Sequence, residues 1–212
     1  MIDLYEPKFR SRRLILREGY SEGVVRRIAK ASGWDELAKR PADARRNVAL
    51  TVIWEVIPGL TVSYYYEPLA EASCLIIRST RDKAEIREVE RLLNQTTVFA
   101  GDEDLLSSAA TGVSSCERAL ALLRLGLGGP VNFDQRYFHQ LASGADDPDG
   151  KIRLAAIRGI TYTEWPQFRP LLGQLADHDP VRSVRKLARQ VLLIFDALGL
   201  ADKSASRGCG GR

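Results

Sequence analysis

The feature that most constrains the fold is a repeat in the second half of the chain. In each of two units an Asp-Pro pair is followed, at fixed distances, by an aliphatic residue with Arg, by Ala, and by a second large aliphatic residue. The first set is Asp147, Pro148, Ile152, Arg153, Ala156 and Ile160, and the second, 32 residues later, is Asp179, Pro180, Val184, Arg185, Ala188 and Leu192. A period of this length indicates units that bury their apolar faces only by stacking on one another.

Each Asp-Pro pair lies between two segments with a helical pattern of apolar residues. Residues 133–143 and 164–176 precede the pairs, and the helix from Val184 to Leu198 has the clearest period of 3.6 residues. Asp is expected to cap the second helix of each unit, since Pro fits the first helical turn. A looser third copy with Arg118, Ala121 and Leu125 lacks the Asp-Pro pair.

The pattern Asp-Pro-x-x-x-(Val/Ile)-Arg-x-x-Ala resembles the HEAT-type helical repeat, over about residues 113–198. The resemblance implies a short α-solenoid whose second helices line a concave face. It also implies that Arg153 and Arg185 pair with a turn Asp of a neighbouring unit; alternatively, these arginines belong to a basic face that binds an anion. Such repeats serve many unrelated roles, so the resemblance implies a fold and not a function.

The first half of the chain has a different pattern. Residues rich in Val, Ile, Tyr, Trp and Thr predict three strands, and the flanking residues predict helices. The predicted strands are 50–56, 60–67 and 72–79, and the predicted helices are 21–32, 35–40, one beginning near Pro41, and 82–94. Residues 1–20 fit either a strand or a short helix. Trp54, Tyr64 and Tyr66 are expected in the core, whereas Tyr65 faces the other side of the sheet with Ile53.

The fold class predicted is therefore mainly α with a small sheet. Residues 1–98 form an α+β module, a three-stranded antiparallel meander plus helices. Residues 99–112 form a linker, residues 113–200 a short HEAT-like α-solenoid, and the Gly- and Ser-rich residues 201–212 a disordered tail.

Charge, apolar runs and cysteine content indicate in which cellular environment the protein works. The net charge is +5 over residues 1–46, −5 over 47–110 and +4 over 111–212. No apolar run has the roughly 20 residues needed to span a bilayer, and no signal peptide is recognisable, so no membrane partner is expected. Three cysteines, Cys74, Cys116 and Cys209, show no metal-binding spacing. Together these features predict a cytoplasmic protein.

No catalytic or cofactor motif is recognisable. The chain has no GxSxG, P-loop, GxGxxG or HExxH sequence. Its two histidines, His139 and His178, have no Ser, Cys or carboxylate residue at a sequence spacing that indicates catalysis. The acidic run from Asp146 to Gly150 fails as a calcium loop, because alanines occupy its first and last ligand positions. We therefore predict no catalytic residue, cofactor or metal, and a chain that is more consistent with a binding protein than with an enzyme.

The function predicted is binding of a macromolecular partner on the concave face of the repeats. The partner is expected to be a protein with an acidic surface. The chain itself is expected to be a bacterial adaptor, an accessory protein of a pathway enzyme, or an immunity-type protein. The candidate partner-binding residues are Arg158, Arg182, Lys186 and Arg189, with Tyr65 on the sheet.

Two other functions stay open. One is nucleic-acid binding, by analogy with DNA-repair glycosylases built from HEAT-like repeats, although their catalytic acid and tryptophans find no match: the repeat region contains only Trp165. The other is an enzyme whose site lies between the two modules.

Overall fold

The computed structural model describes residues 7–42, 49–111 and 114–200. Over these residues the chain forms six strands and eight α-helices, which confirms a mixed fold of helices with a small sheet. It divides into two compact units, residues 1–105 (unit 1) and residues 106–212 (unit 2). The predicted tail 201–212, and residues 43–48 into which a helix from Pro41 would run, lie outside the described residues.

Unit 1 is built on an antiparallel sheet with the strand order β1-β6-β5-β4-β3, and β2 also pairs with β6. Its central strands are β4, β5 and β6, which confirms the predicted meander. The strands are β1 (Phe9–Arg10), β2 (Leu14–Ile15), β3 (Asp35–Arg40), β4 (Thr51–Ile57), β5 (Leu60–Glu67) and β6 (Ala72–Ser79).

The prediction of only three strands was wrong. Residues 1–20, left open between strand and helix, contribute β1 and β2, which both pair with β6. The helix predicted over residues 35–40 is instead strand β3. Its residues favour a helix, but the free edge of β4 offers a ladder of backbone hydrogen bonds that outweighs this local preference, with a bulge at Leu37.

One face of the sheet forms the core of unit 1 with helices α1 (Glu22–Ala31) and α2 (Lys83–Asn94), both of which were predicted. Val52, Trp54, Val62, Tyr64, Leu75 and Ile77 of the sheet pack there with Val25, Ala29, Ile86, Val89 and Leu93 of the helices. Tyr66, expected in this core, is 39% exposed, because it lies near the end of β5, beyond the helices that cover Tyr64.

The stretch interpreted as a linker contains a helix, α3 (Asp102–Thr111). The residues before it belong to the sheet module, because Phe99 bridges to Leu16 and the Ala100 N–H donates to the Ile15 carbonyl. Arg12 and Arg17 then pair with Asp102 and Asp104 at the start of α3.

Unit 2 is helical throughout its described residues. Its helices are α4 (Ser115–Leu127), α5 (Gln135–Ala145), α6 (Gly150–Thr163), α7 (Arg169–His178) and α8 (Arg182–Ala197), with a 3-10 turn at Pro166–Phe168. Helix α6 packs against α4, α5 and α8, and α7 packs against α8.

The Asp-Pro pairs do not cap the second helices directly. Helix α6 is capped by Asp149, whose carboxylate accepts the Lys151 N–H, two residues after Asp147. Asp147 accepts the Asp149 N–H, and Asp179 accepts the Val181 N–H, each at 2.8 Å. Each of these aspartates therefore fixes the turn that leads into the helix.

Helices α4 and α6 cross with their backbones in contact at two glycines. A methyl group at Gly126 would overlap the carbonyl group of Gly159, and one at Gly159 would lie 2.7 Å from the Leu122 carbonyl oxygen. This approach allows Leu122, Leu125 and Ile160 to be buried around the crossing.

We expect Gly126→Ala to lower the free energy of unfolding by about 3 kcal/mol, because the helices must separate to admit the methyl group. Gly173→Ala in α7 is the matched control. Its methyl group would meet no atom within 4 Å, so it should raise stability by about 0.5–1 kcal/mol. Urea unfolding followed by circular dichroism measures both. Equal stability of the two variants would contradict the α4–α6 crossing.

Candidate functional site

The repeat arginine Arg153 is buried in unit 2 and forms a bidentate pair with Asp179. Its Nε and Nη2 lie 2.7 and 2.9 Å from the two carboxylate oxygens of Asp179. Its Nη1 donates to the carbonyls of Asp147 and Pro148 at 2.8 and 3.0 Å. Arg153 therefore joins the turn of its own repeat to the turn of the next repeat, as the resemblance to HEAT-type repeats predicted.

Parts of this arrangement recur in the neighbouring repeats: the ion pair in the repeat before, and the carbonyl contacts in the repeat after. Arg118 of α4 pairs with Asp147, at 2.6 Å between Nη1 and Oδ2. Arg185 of α8 donates to the carbonyls of Asp179 and Pro180, at 2.6 and 3.1 Å. Arg153 is buried and Arg185 is half-buried, and the hydrogen bonds of both guanidinium groups connect them to the turns.

Two opposing effects set the pKa of the Asp179 carboxyl. Burial by itself raises it, whereas the hydrogen bonds from Arg153 and the Val181 N–H, with the charges of Arg153 and Arg185, lower it. The net result is a pKa below the ordinary value for Asp. The folded state therefore favours the ionised form of this buried carboxylate.

The predicted partner-binding cations on the helices are all exposed. Arg158 lies on α6, and Arg182, Lys186 and Arg189 lie on α8 within an arc of about 60°, given 100° per residue. None of these four side chains has an ion-pair partner among the described residues. With Lys151, also exposed and without such a partner, they are termed here the α6–α8 cations.

The repeat alignment places two of the α6–α8 cations, Lys186 and Arg189, on different sides of the second helix. A shift of 32 residues places Lys186 at the position of Leu154, which adjoins Arg158 on the accessible side of α6. Arg189 falls at the position of Ile157, which is fully buried in α6. Lys186 therefore lies on the side that both helices expose, and Arg189 on a side that α6 buries against its neighbours.

Tyr65 belongs to unit 1 and lies on the sheet face opposite the helices of that unit. It is half-buried and lines a groove of about 580 Å³, termed here the sheet groove. Lining residues of the sheet groove include Arg40, Thr51, Ile53, Ser63, Tyr65 and Arg78. Burial beside Cys74 raises the pKa of the Tyr65 hydroxyl, so the phenol is neutral at physiological pH.

The sequence did not reveal the two arginines that line the sheet groove. Arg78 lies on β6 directly across from Arg10 of β1, and Arg40 lies on β3. Their position depends on cross-strand register and on strand β3, whose residues favour a helix when considered alone. The alternation of β6, in which Cys74, Ile76 and Arg78 share a face, was the available signal for Arg78.

Two observations bear on other kinds of site. Among the described residues, no three His, Cys, Asp or Glu side chains come close enough to hold a metal ion. Of the helices within 7–42, 49–111 and 114–200, none combines the length and apolar character needed to cross a bilayer.

Comparison with protein-family models, with curated proteins and with solved structures found no match to this chain. Its function must therefore be argued from its own residues.

We expect Arg153→Ala to lower the free energy of unfolding by about 3 kcal/mol, because it leaves the buried Asp179 carboxylate without its cation. Arg185→Ala is the matched control at the equivalent repeat position. It should cost about 1 kcal/mol, since Arg185 binds carbonyls only. Urea unfolding at neutral pH measures both. A smaller loss for Arg153→Ala than for Arg185→Ala would show that the pair does not stabilise the fold.

The same pair predicts a pH dependence. Because the pKa of Asp179 is lowered in the folded state, its stabilising contribution is complete above the pKa of an unfolded Asp, about 4, and is lost as the pH falls through the folded value. The stability difference between the wild type and Arg153→Ala should therefore narrow as the pH falls from about 5 to about 2. A difference that stays constant over this range would contradict the assignment.

Proposed function

We propose that this chain is a non-catalytic binding protein whose helices over residues 113–200 form a short HEAT-like repeat array that holds an acidic segment of a partner protein. The N-terminal α+β module, residues 1–98, would provide a second surface. The proposed contact residues are Arg158, Arg182, Lys186 and Arg189.

The arginine pairs support the repeat array. Arg118 and Arg153 each form an ion pair with the Asp that precedes the second helix of the following repeat. The second helices also pack on one another, α4 on α6 and α6 on α8. A ladder of this kind repeats one contact from unit to unit, which is how repeat arrays are stabilised.

The observation that carries the proposal is the charge of the two second helices. Helix α6 contains three cations and no carboxylate, and α8 contains four cations before its single Asp196. Two of these seven, Arg153 and Arg185, bind the interhelical turns. The five α6–α8 cations remain exposed and without an ion-pair partner among the described residues. A surface of this kind attracts acidic partners.

Apolar residues among these cations favour a protein partner over a nucleic-acid backbone. Leu193 lies between Arg182 and Lys186 in helical phase and is 68% exposed. Ile194 on α8 and Leu198, just after its end, are also exposed. A phosphate backbone offers no apolar surface to such residues, whereas the centre of a protein interface does.

The cysteines support a cytoplasmic location as part of this proposal. Cys74 and Cys116 are both free thiols. Free thiols are typical of proteins in reducing compartments, and we place the protein in the cytoplasm on this ground.

The test reverses the charge of α8. We expect the triple variant Arg182→Glu, Lys186→Glu and Arg189→Glu to fold and to lose a partner protein that the wild type retains in affinity purification from a lysate of the source organism. A short polyglutamate peptide should also bind the variant about tenfold more weakly than the wild type, because three attractive charges become repulsive.

The matched control changes net charge by the same amount on the other unit. Arg27, Lys30 and Arg87 are exposed cations on α1 and α2, and their triple replacement by Glu should leave the partner bound. Retention of every partner by the α8 variant would place the function elsewhere. Binding of duplex DNA more tightly than polyglutamate, with loss on the α8 reversal, would favour nucleic-acid binding by the repeats instead.

A further inference from the structure

The sheet groove of unit 1 contains a cation that the fold leaves without a carboxylate. Arg78 is half-buried, and its Nη1 donates to Ser63 Oγ at 3.2 Å. No carboxylate of the described residues forms an ion pair with it. Burial, with the charges of Arg13 and Arg10, holds the pKa of Arg78 below its ordinary value, although Tyr65 acts in the opposite direction.

Keeping the half-buried guanidinium of Arg78 without a carboxylate partner costs free energy unless an anion binds it. Arg10 lies directly across from Arg78 in the sheet, and Arg13 lies within hydrogen-bonding reach of Tyr65. The positive charge is therefore concentrated at one side of the groove, next to the tyrosine. An anionic ligand with a group beside Arg78 would supply the countercharge that the described residues do not.

A second cation lies at the far side of the same groove. Arg40 is exposed, and its Nη2 lies 3.4 Å from Thr51 Oγ1, with no carboxylate partner among the described residues. Three strand spacings across the sheet and four residues along it put the Cα atoms of Arg40 and Arg78 about 20 Å apart. A single phosphate cannot contact both from one position, whereas an extended polyanion can.

Between the two arginines the groove offers an aromatic ring and hydroxyls. Tyr65 occupies the same cross-strand row as Thr51 and Arg40, and Ser63 lies one row further towards Arg78. A neutral phenol does not repel an anion, and its ring can stack on a base. Thr51 and Ser63 can donate hydrogen bonds to phosphate or sugar oxygens.

One carboxylate, that of Glu67, lines the groove, and that of Glu55 lies close to it; each accepts a hydrogen bond from a turn. Glu67 accepts the Leu69 N–H and Glu55 accepts the Gly59 N–H, each at 3.3 Å. Neither pairs with Arg40 or Arg78. The cations at the two sides of the groove therefore keep their charge available to a ligand.

We propose that the sheet groove binds a short segment of single-stranded nucleic acid, with phosphates at Arg40 and Arg78 and a base on the Tyr65 ring. Arginines at the two sides of a groove, far enough apart to contact phosphates of different nucleotides, with an aromatic ring between them, are a combination typical of single-strand binding. An acidic peptide would use the arginines alone and leave the ring without a role. This site is independent of the α6–α8 cations and of the partner proposed for them.

The test is fluorescence anisotropy of the full chain with a labelled single-stranded oligothymidylate and its RNA counterpart. We expect Arg78→Gln and Arg40→Gln each to weaken binding about fivefold and to reduce the salt dependence by about 0.7 in log affinity per log salt. Tyr65→Leu should weaken binding about tenfold, whereas Tyr65→Phe, which keeps the ring, should bind as the wild type does.

Matched controls separate this result from general charge effects and from loss of folding. Arg27→Gln, on α1 at the opposite face of the sheet, should leave affinity unchanged, as should the triple reversal on α8. Circular dichroism verifies the fold of each variant. Should Tyr65→Leu unfold, protection of β5 amides from hydrogen exchange on adding the oligonucleotide to the wild type gives a second measurement of the same site.

Four results would overturn the proposal. They are no binding at low salt, equal affinity for a mononucleotide and the oligonucleotide, equal affinity for polyglutamate, and weakening by the α8 reversal but not by Arg78→Gln. The last would place nucleic acid on unit 2. None of them bears on loss of the protein partner, so failure here is distinguishable from failure of the function proposed for unit 2.

Discussion

The packing of unit 2 depends on the buried pair between Arg153 and Asp179. A buried guanidinium and a buried carboxylate are each costly to remove from water, and they compensate only when both are in place with their hydrogen bonds satisfied. The guanidinium also binds the carbonyls of Asp147 and Pro148. One side chain thus holds two turns in register, and the stacking of α6 and α8 follows from that register.

The chain uses its arginines in two distinct ways. Arg118, Arg153 and Arg185 lie on helices, and their guanidinium groups bind the turns between helices. Arg158, Arg182 and Arg189 have no such partner among the described residues and extend into solvent. Residue type and helical phase look similar for both groups in the sequence. An Asp-Pro turn within reach distinguishes the first group: the turn of the following repeat for Arg118 and Arg153, and the turn of its own repeat for Arg185.

Periodicity explains which parts of the fold were predictable. In the strands from Thr51 to Ser79 and in the helices of the repeat, apolar residues keep a regular spacing over seven or more residues. The local pattern was therefore enough to predict these elements. Strand β3 did not, because Glu36, Leu37, Ala38 and Lys39 favour a helix when considered alone. Only the unpaired edge of β4, a tertiary feature, makes them a strand.

The candidate sites show the same limit. Exposure of Arg158, Arg182, Lys186 and Arg189 follows from helical phase, and the position of Tyr65 follows from strand alternation. The sheet groove required the register between β1, β3 and β6, which no local pattern contains. Arg40 and Arg78 are 38 residues apart in the chain and reach one groove only because three strand pairings intervene.

The edges of the sheet limit how unit 1 can associate with other chains. On one side β3 exposes Asp35, Glu36, Lys39 and Arg40 and is bulged at Leu37. On the other side, β1 and β2 are two residues long each. Charged, bulged or very short edge strands are poor templates for a further strand. Among the described strands, none therefore invites β-augmentation or edge-to-edge aggregation, and recognition by this sheet is confined to its face.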